Sequence, residues 1–277
     1  MKTSFKNLFS ELFEQRRNLI WTFLILQIIS ALVSGVLCFI KGDNQIVLVH
    51  FQFGNFFLYT ANLLLIFCLL YDPIFVILTA YSNEKINRSQ TWRLIPASAG
   101  KIYLTNLFSS FMAVVGLTIL QVISAGVFYG LAELCSEKIR QETLAKFSWS
   151  LIEANETIWL VEIIVLLVLS VTLFYLVLSF INFTSSTIVD FLPSVSGKFA
   201  LYLVRLLIII LVCWLAYEIL DIFIFNGPNL RTFAEIIFNG DFGNITRVNL
   251  ILLIIDLILG IANVLMINKT FEAESNK

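Results

Sequence analysis

The apolar residues of this chain gather into six long runs separated by polar breaks, at roughly 18–40, 56–81, 102–130, 158–183, 199–225 and 248–268. A helix rises about 1.5 Å per residue, so about 20 apolar residues cross the hydrocarbon core of a bilayer. Each run has that length. The pattern predicts an all-α, polytopic membrane protein with six transmembrane helices in a single domain, 18–268. Residues 1–17 precede it and a short tail, 269–277, follows. No long polar segment remains to form a soluble domain.

Ahead of the first run the period changes. Phe5, Leu8, Phe9, Leu12 and Phe13 recur at helical spacing, with Lys6, Asn7, Glu11 and Glu14 on the other side. This predicts an N-terminal interfacial amphipathic helix lying on the inner leaflet. Thr3 or Ser4 suits its N-cap. Arg16 and Arg17 at its C-terminal end complement both the helix dipole and anionic lipid. A simple anchor and a partner-binding surface both fit this pattern.

The break between the second and third runs, Ser82 to Lys101, is long and polar and carries Lys85, Arg88, Arg93 and Lys101. Basic residues in short loops mark the cytoplasmic side. Asn83 to Leu94 lacks Gly and Pro and predicts about three helical turns along the surface, ended by Pro96 and Gly100. Trp92 and Ile95, at i and i+3, share one face. Docking on another protein and resting on headgroups are both open.

Composition and charge sharpen the picture. With 59% hydrophobic and 13% charged residues and a mean hydropathy of +0.91, the chain is far from the soluble average of about 25% charged. A cytoplasmic N-terminus leaves twelve basic residues on inner segments and six on outer ones, which favours both termini inside. Of the four cysteines, Cys38, Cys68 and Cys213 lie in apolar runs and Cys135 in an outer loop, a distribution that indicates neither a disulfide framework nor a metal site.

Charged residues within the runs are the first candidates for function. Asp72, followed by Pro73, lies in the second run, Arg205 in the fifth and Asp256 near the centre of the sixth. A charge at mid-bilayer costs about 2.5–3.5 kcal/mol, so such groups face the bundle interior, a wet cavity or each other. Structural readings stand beside that one: Asp72 can cap groups freed by Pro73, and Arg205 can snorkel to headgroups. Ser30-x-x-x-Ser34, Ala31-x-x-x-Gly35 and Gly126-x-x-x-Gly130 provide stripes where helices can approach closely.

Two outer segments are distinctive. The loop 131–157 is acidic, and Leu144, Phe147 and Leu151 give part of it a helical period. The segment 221–247 alternates short apolar runs with Asn226-Gly227-Pro228 and Asn239-Gly240-Asp241, which predicts helices dipping into the outer leaflet. On the inner side, Pro96-to-Lys101 and Pro193-to-Lys198 end alike, as a repeat remnant or as two similar interfacial stops. Enzyme motifs are missing. Leu192 and Phe199 occupy positions that a phosphate loop reserves for Gly and Ser/Thr, the single histidine is His50, and there is no Gly-x-Ser-x-Gly elbow. No catalytic residue, cofactor or metal site is expected in this chain.

The surface helix, the six spans, the EKINRSQTWRLIPAS loop and the turn-broken apolar segment before the last span together resemble the permease subunit of a type-2 ATP-binding cassette (ABC) transporter, as in low-GC Gram-positive bacteria. The resemblance covers nearly the whole chain. It implies a coupling helix between spans two and three seated on a separate ABC ATPase subunit, with ATP bound on that partner. It also implies a second permease copy or paralogue, re-entrant helices outside, and location in the bacterial cell membrane. Carried onto this sequence, Glu84, Lys85, Arg88, Trp92 and Arg93 become the ATPase-docking residues. The expected function is ATP-driven export of a hydrophobic or amphipathic compound such as a peptide, antibiotic or lipid. A non-transporting protein of bacteriocin-immunity or sensor type, and an ion-coupled carrier using Asp72 and Asp256, are the alternatives. Nucleic acid is not an expected partner.

Overall fold

Inside a bilayer no water satisfies peptide groups, so an apolar run must close its backbone hydrogen bonds within itself, as an α-helix does. The computed structural model describes residues 4–41, 53–87, 89–146, 154–190, 198–220 and 242–275. Among the described residues these form α1 Phe5–Lys41, α2 Phe53–Asn87, α3 Gln90–Arg93, α4 Ala99–Cys135, α5 Glu137–Lys146, α6 Ala154–Asp190, α7 Lys198–Leu220 and α8 Phe242–Ser275, with no strand. Five of them, α1, α2, α4, α6 and α8, are long and apolar enough to cross a membrane. The chain is an all-helical, multi-pass membrane protein. The remaining apolar run, the fifth, at 199–225, overlaps α7, a helix of 23 residues. Large apolar side chains such as Leu69, Leu70 and Ile258 are exposed, as suits a surface that meets lipid.

The helices fall into two packing units. One comprises Ser4–Asn83 and Thr105–Leu151, the other Met1–Thr3, Glu84–Leu104 and Ile152–Lys277. In the first, Ile20, Phe23 and Leu24 of α1 pack with Phe75 of α2 and with Ala113 and Leu117 of α4. Phe23 meets Phe75 edge-on at 5.3 Å between ring centroids. In the second, Ala99 and Tyr103 of α4 pack with Phe183 of α6 and Ile267 of α8.

Three elements differ from the sequence expectation. The amphipathic stretch and the first span are one unbroken helix, α1, because residues 5–34 contain no Gly or Pro. Its apolar stripe is spent on protein: Phe5 and Phe9 lie against Phe108 of α4, at 6.3 and 5.5 Å between centroids, and Leu8 and Leu12 are buried. The expected three-turn surface helix is divided. α2 continues through Asn87, Ser89 turns extended at φ −75° and ψ 124°, and α3 makes one turn over Gln90–Arg93. The small-residue stripes also part company. Ala31 is fully buried and Gly35 lies where a Cβ would be 3.1 Å from Thr60 Oγ1, whereas Gly126 and Gly130 have nothing within 4 Å. In the outer loop, α5 spans Glu137–Lys146 and includes Leu144, whereas Phe147 and Leu151, on which the expected helical period also rested, lie outside the described residues. The segment 221–241, residues 193–197 and His50 lie outside the described residues.

Candidate functional site

In the first unit, polar residues form two layers along the faces where α1, α2 and α4 meet. The face of α1 that buries Leu8, Leu12, Ile20, Leu24 and Ala31 also carries Arg16 and Gln27, all near the four-residue spacing that stacks side chains on one side of a helix. Arg16 is therefore interior. Its Nη1 donates to Leu12 O at 2.8 Å and Ser109 Oγ at 2.5 Å, and its Nη2 to Asn83 Oδ1 at 2.6 Å and Asn106 Oδ1 at 2.5 Å. Asn106 Nδ2 donates to Asn83 O, and Ser110 Oγ to Asn83 Oδ1. This corrects the expectation that Arg16 sits on anionic lipid. Arg17, one residue on, is the exposed member and pairs with Glu14.

Eleven residues further along α1, about 16 Å by helical rise, comes the second layer. Gln27 Nε2 donates to Leu64 O and Cys68 Sγ, while Gln121 Nε2 bridges Gln27 Oε1 at 2.9 Å and Asp72 Oδ1 at 2.7 Å. Asp72 is half-buried, and this amide-to-carboxylate bond is how its place in the span is sustained. Ser30 and Tyr71 hydroxyls meet at 2.7 Å beside it.

The second unit holds the polar connection. Glu84, at the end of α2, turns its carboxylate toward α6, accepting from Ser179 Oγ at 2.7 Å and from Asn182 Nδ2. That carboxylate, expected to face a partner, is engaged within the chain. Lys85 beside it is exposed. Trp92 is half-buried and lines a shallow recess with Ile86, Asn87, Ser89, Ala99, Ile102 and Ile267. Leu94 follows it at 84% exposure, which makes it an apolar tip on the connection. At the start of α4, Gly100 N donates to Asn268 Oδ1 of α8 at 3.2 Å, and Val264 leaves no room there for a larger side chain. Arg88 lies outside the described residues, as does the side chain of Arg93.

The seam between α6 and α8 carries the rest. Asn249 Nδ2 donates to Glu162 O at 3.1 Å and Asn263 Nδ2 to Leu176 O at 2.9 Å; Asn263 also donates to Tyr103 OH at 3.0 Å. Both seam bonds join residues 87 apart in sequence, so the two helices run parallel. Asp256 lies midway on that face of α8, 7% exposed, and neither carboxylate oxygen has a hydrogen-bond partner among the described residues. Arg205 falls on α7, with its side chain outside the described residues.

Sequence reasoning found the charged residues and passed over the neutral ones. Gln27, Gln121, Asn106 and Asn263, all essentially fully buried, are the amides that tie helices together. Their signal was available as uncharged polar residues inside apolar runs, and as the seven-residue spacing of Asn249, Asp256 and Asn263. No family model, curated protein or solved structure matches this chain.

Proposed function

We propose that this chain is the permease subunit of an ATP-driven transporter, an exporter of a hydrophobic or amphipathic compound, energised by a separate ATPase chain that seats on the segment from Lys85 to Leu94. The observation that carries this reading is how that segment is tied. Glu84 on one side is bonded to α6, and Gly100 on the other is bonded to α8. α3 is thus a short foot tied at both flanks to long helices, and discrete element shifts of this kind transmit a partner's motion. Exposed Lys85 and Leu94, together with Trp92, Arg88 and Arg93, give the foot basic and apolar chemistry for a protein surface.

Parallel α6 and α8 support six spans. A chain leaving the end of α6 must travel back the length of the seam before it enters α8, and α7 lies between them in sequence. Six crossings keep both termini on one side, and the excess of basic residues on the inner segments supports a cytoplasmic location for that side. The ATP, a second permease copy and the transported compound belong to this proposal.

The test is purification from native membranes with an assay for nucleotide hydrolysis. A triple charge reversal, Lys85→Glu, Arg88→Glu and Arg93→Glu, is expected to remove the co-purifying ATPase while membrane insertion persists. ATPase retained at the wild-type level speaks against the docking site. Labelling of an Arg88→Cys variant from outside intact cells would sink the orientation.

A further inference from the structure

The two seam bonds of α8 fix a register that passes through a third position. Asn249 and Asn263 each donate an amide N–H to the α6 carbonyl 87 residues earlier, at Glu162 and Leu176. Asp256 lies seven residues from each asparagine, and the same offset places the Leu169 carbonyl opposite it. Asparagine can donate there; an ionised aspartate cannot, because both its oxygens are acceptors. A carboxyl group that keeps its proton has one O–H donor, aimed as the asparagine amides are.

We propose that Asp256 is a proton-binding site. Its carboxyl is carried as the neutral acid, and its O–H donates to the Leu169 backbone carbonyl as the middle of three equivalent bonds along the α6–α8 seam. Three observations converge on it. Asp256 is buried with both oxygens unpartnered among the described residues. The positions flanking it on the two helices, Leu252 and Leu259 on α8 and Leu166 and Leu173 on α6, are hydrocarbon. The layers above and below show the bond that a proton would complete.

A metal cation is the other ligand a buried carboxylate can take, but a hard cation needs about six oxygens. Among the described residues no group of three or more His, Cys, Asp or Glu gathers. Among the described side chains, the titratable groups that α4 and α6 bring to the seam lie in other layers. Glu162 is near Asn249, where it accepts from Thr246, and Tyr103 and Tyr175 belong to the Asn263 layer; α7 carries Lys198, Tyr202, Arg205, Cys213, Tyr217 and Glu218, of which only Tyr202 and Glu218 have described side chains. A proton therefore neutralises Asp256, which has no partner side chain among the described residues. Its release would put a charge into an apolar seam and remove the central bond between two parallel spans.

The experiment compares purified wild type and Asp256→Asn in lipid nanodiscs near neutral pH by infrared difference spectroscopy, with thermal unfolding measured alongside. The expected result is a protonated-carboxyl C=O band in wild type that shifts in D2O and is lost in Asp256→Asn. The variant should be at least as heat-stable as wild type, because asparagine reproduces the donor. A spectrum with only a carboxylate signal from this residue overturns the proposal. So does a destabilised or unfolded Asp256→Asn, or stabilisation of wild type by sodium or potassium that Asp256→Asn abolishes.

Discussion

Arg16 and Asn83 stand 67 residues apart in sequence, yet Nη2 of the one donates to Oδ1 of the other at 2.6 Å in the interior of the first packing unit. Ser110 donates to the same Asn83 oxygen, and Asn106 and Ser109 accept from the same guanidinium. One cation thereby organises α1, α2 and α4. The planar fork of arginine can serve several acceptors at once, which a lysine ammonium cannot match in that geometry.

Arg16→Met is expected to lower the stability of the purified protein by about 3 kcal/mol, since several buried oxygens lose a charged donor together. Arg16→Lys should recover only part of it. Arg17→Met, at an exposed i,i+3 pair, should stay within about 0.5 kcal/mol. Denaturant titration in mixed micelles separates these outcomes.

Gln121 is the only described donor to Asp72, and it also serves Gln27. Replacing it with leucine removes two interhelical bonds, a loss of about 1–2 kcal/mol on the scale measured between membrane helices. Asp72→Asn keeps an oxygen for the amide and should cost less than half as much. The same titration, run on both variants, ranks them.

Glycines on opposite sides of the packing should respond with opposite signs. Gly35→Leu drives side-chain atoms into Thr60 and Phe56 and should destabilise by about 1–3 kcal/mol. Gly126→Ala and Gly130→Ala meet nothing within 4 Å and should each stabilise the helix by about 0.5–1 kcal/mol. Thermal unfolding of the three variants decides this.

Glu84→Ala should destabilise the isolated chain by about 1–2 kcal/mol, because Ser179 and Asn182 lose their acceptor. Lys85→Ala, exposed beside it, should leave the isolated chain within about 0.5 kcal/mol of wild type. Any effect of Lys85 should then emerge only in assays that include the proposed ATPase partner. Unfolding of the purified chain without a partner is the measurement.

The apolar periodicity was enough to place the membrane helices. Each of the five helices long enough to cross a bilayer covers a run visible in the sequence, because a bilayer-length apolar segment has one way to satisfy its own backbone. The sequence also flagged Asp72 and Asp256 as residues whose charge must be dealt with. Only the tertiary structure could say how. Whether Arg16 meets lipid or protein depends on which face of α1 lies against α4, and the two basic residues at 16 and 17 look alike until that rotation is known. Nor could periodicity reveal that Glu84 looks inward to α6 while Lys85 looks out, or that Asn249 and Asn263 each donate to the α6 carbonyl 87 residues earlier. Those outcomes follow from pairings between segments up to 168 residues apart, and burial energy along one helix contains no information about its partner. The sequence therefore decided that the chain enters a membrane and where. Packing decided which polar groups face one another, because a buried amide or guanidinium is stable only where another segment brings its acceptor.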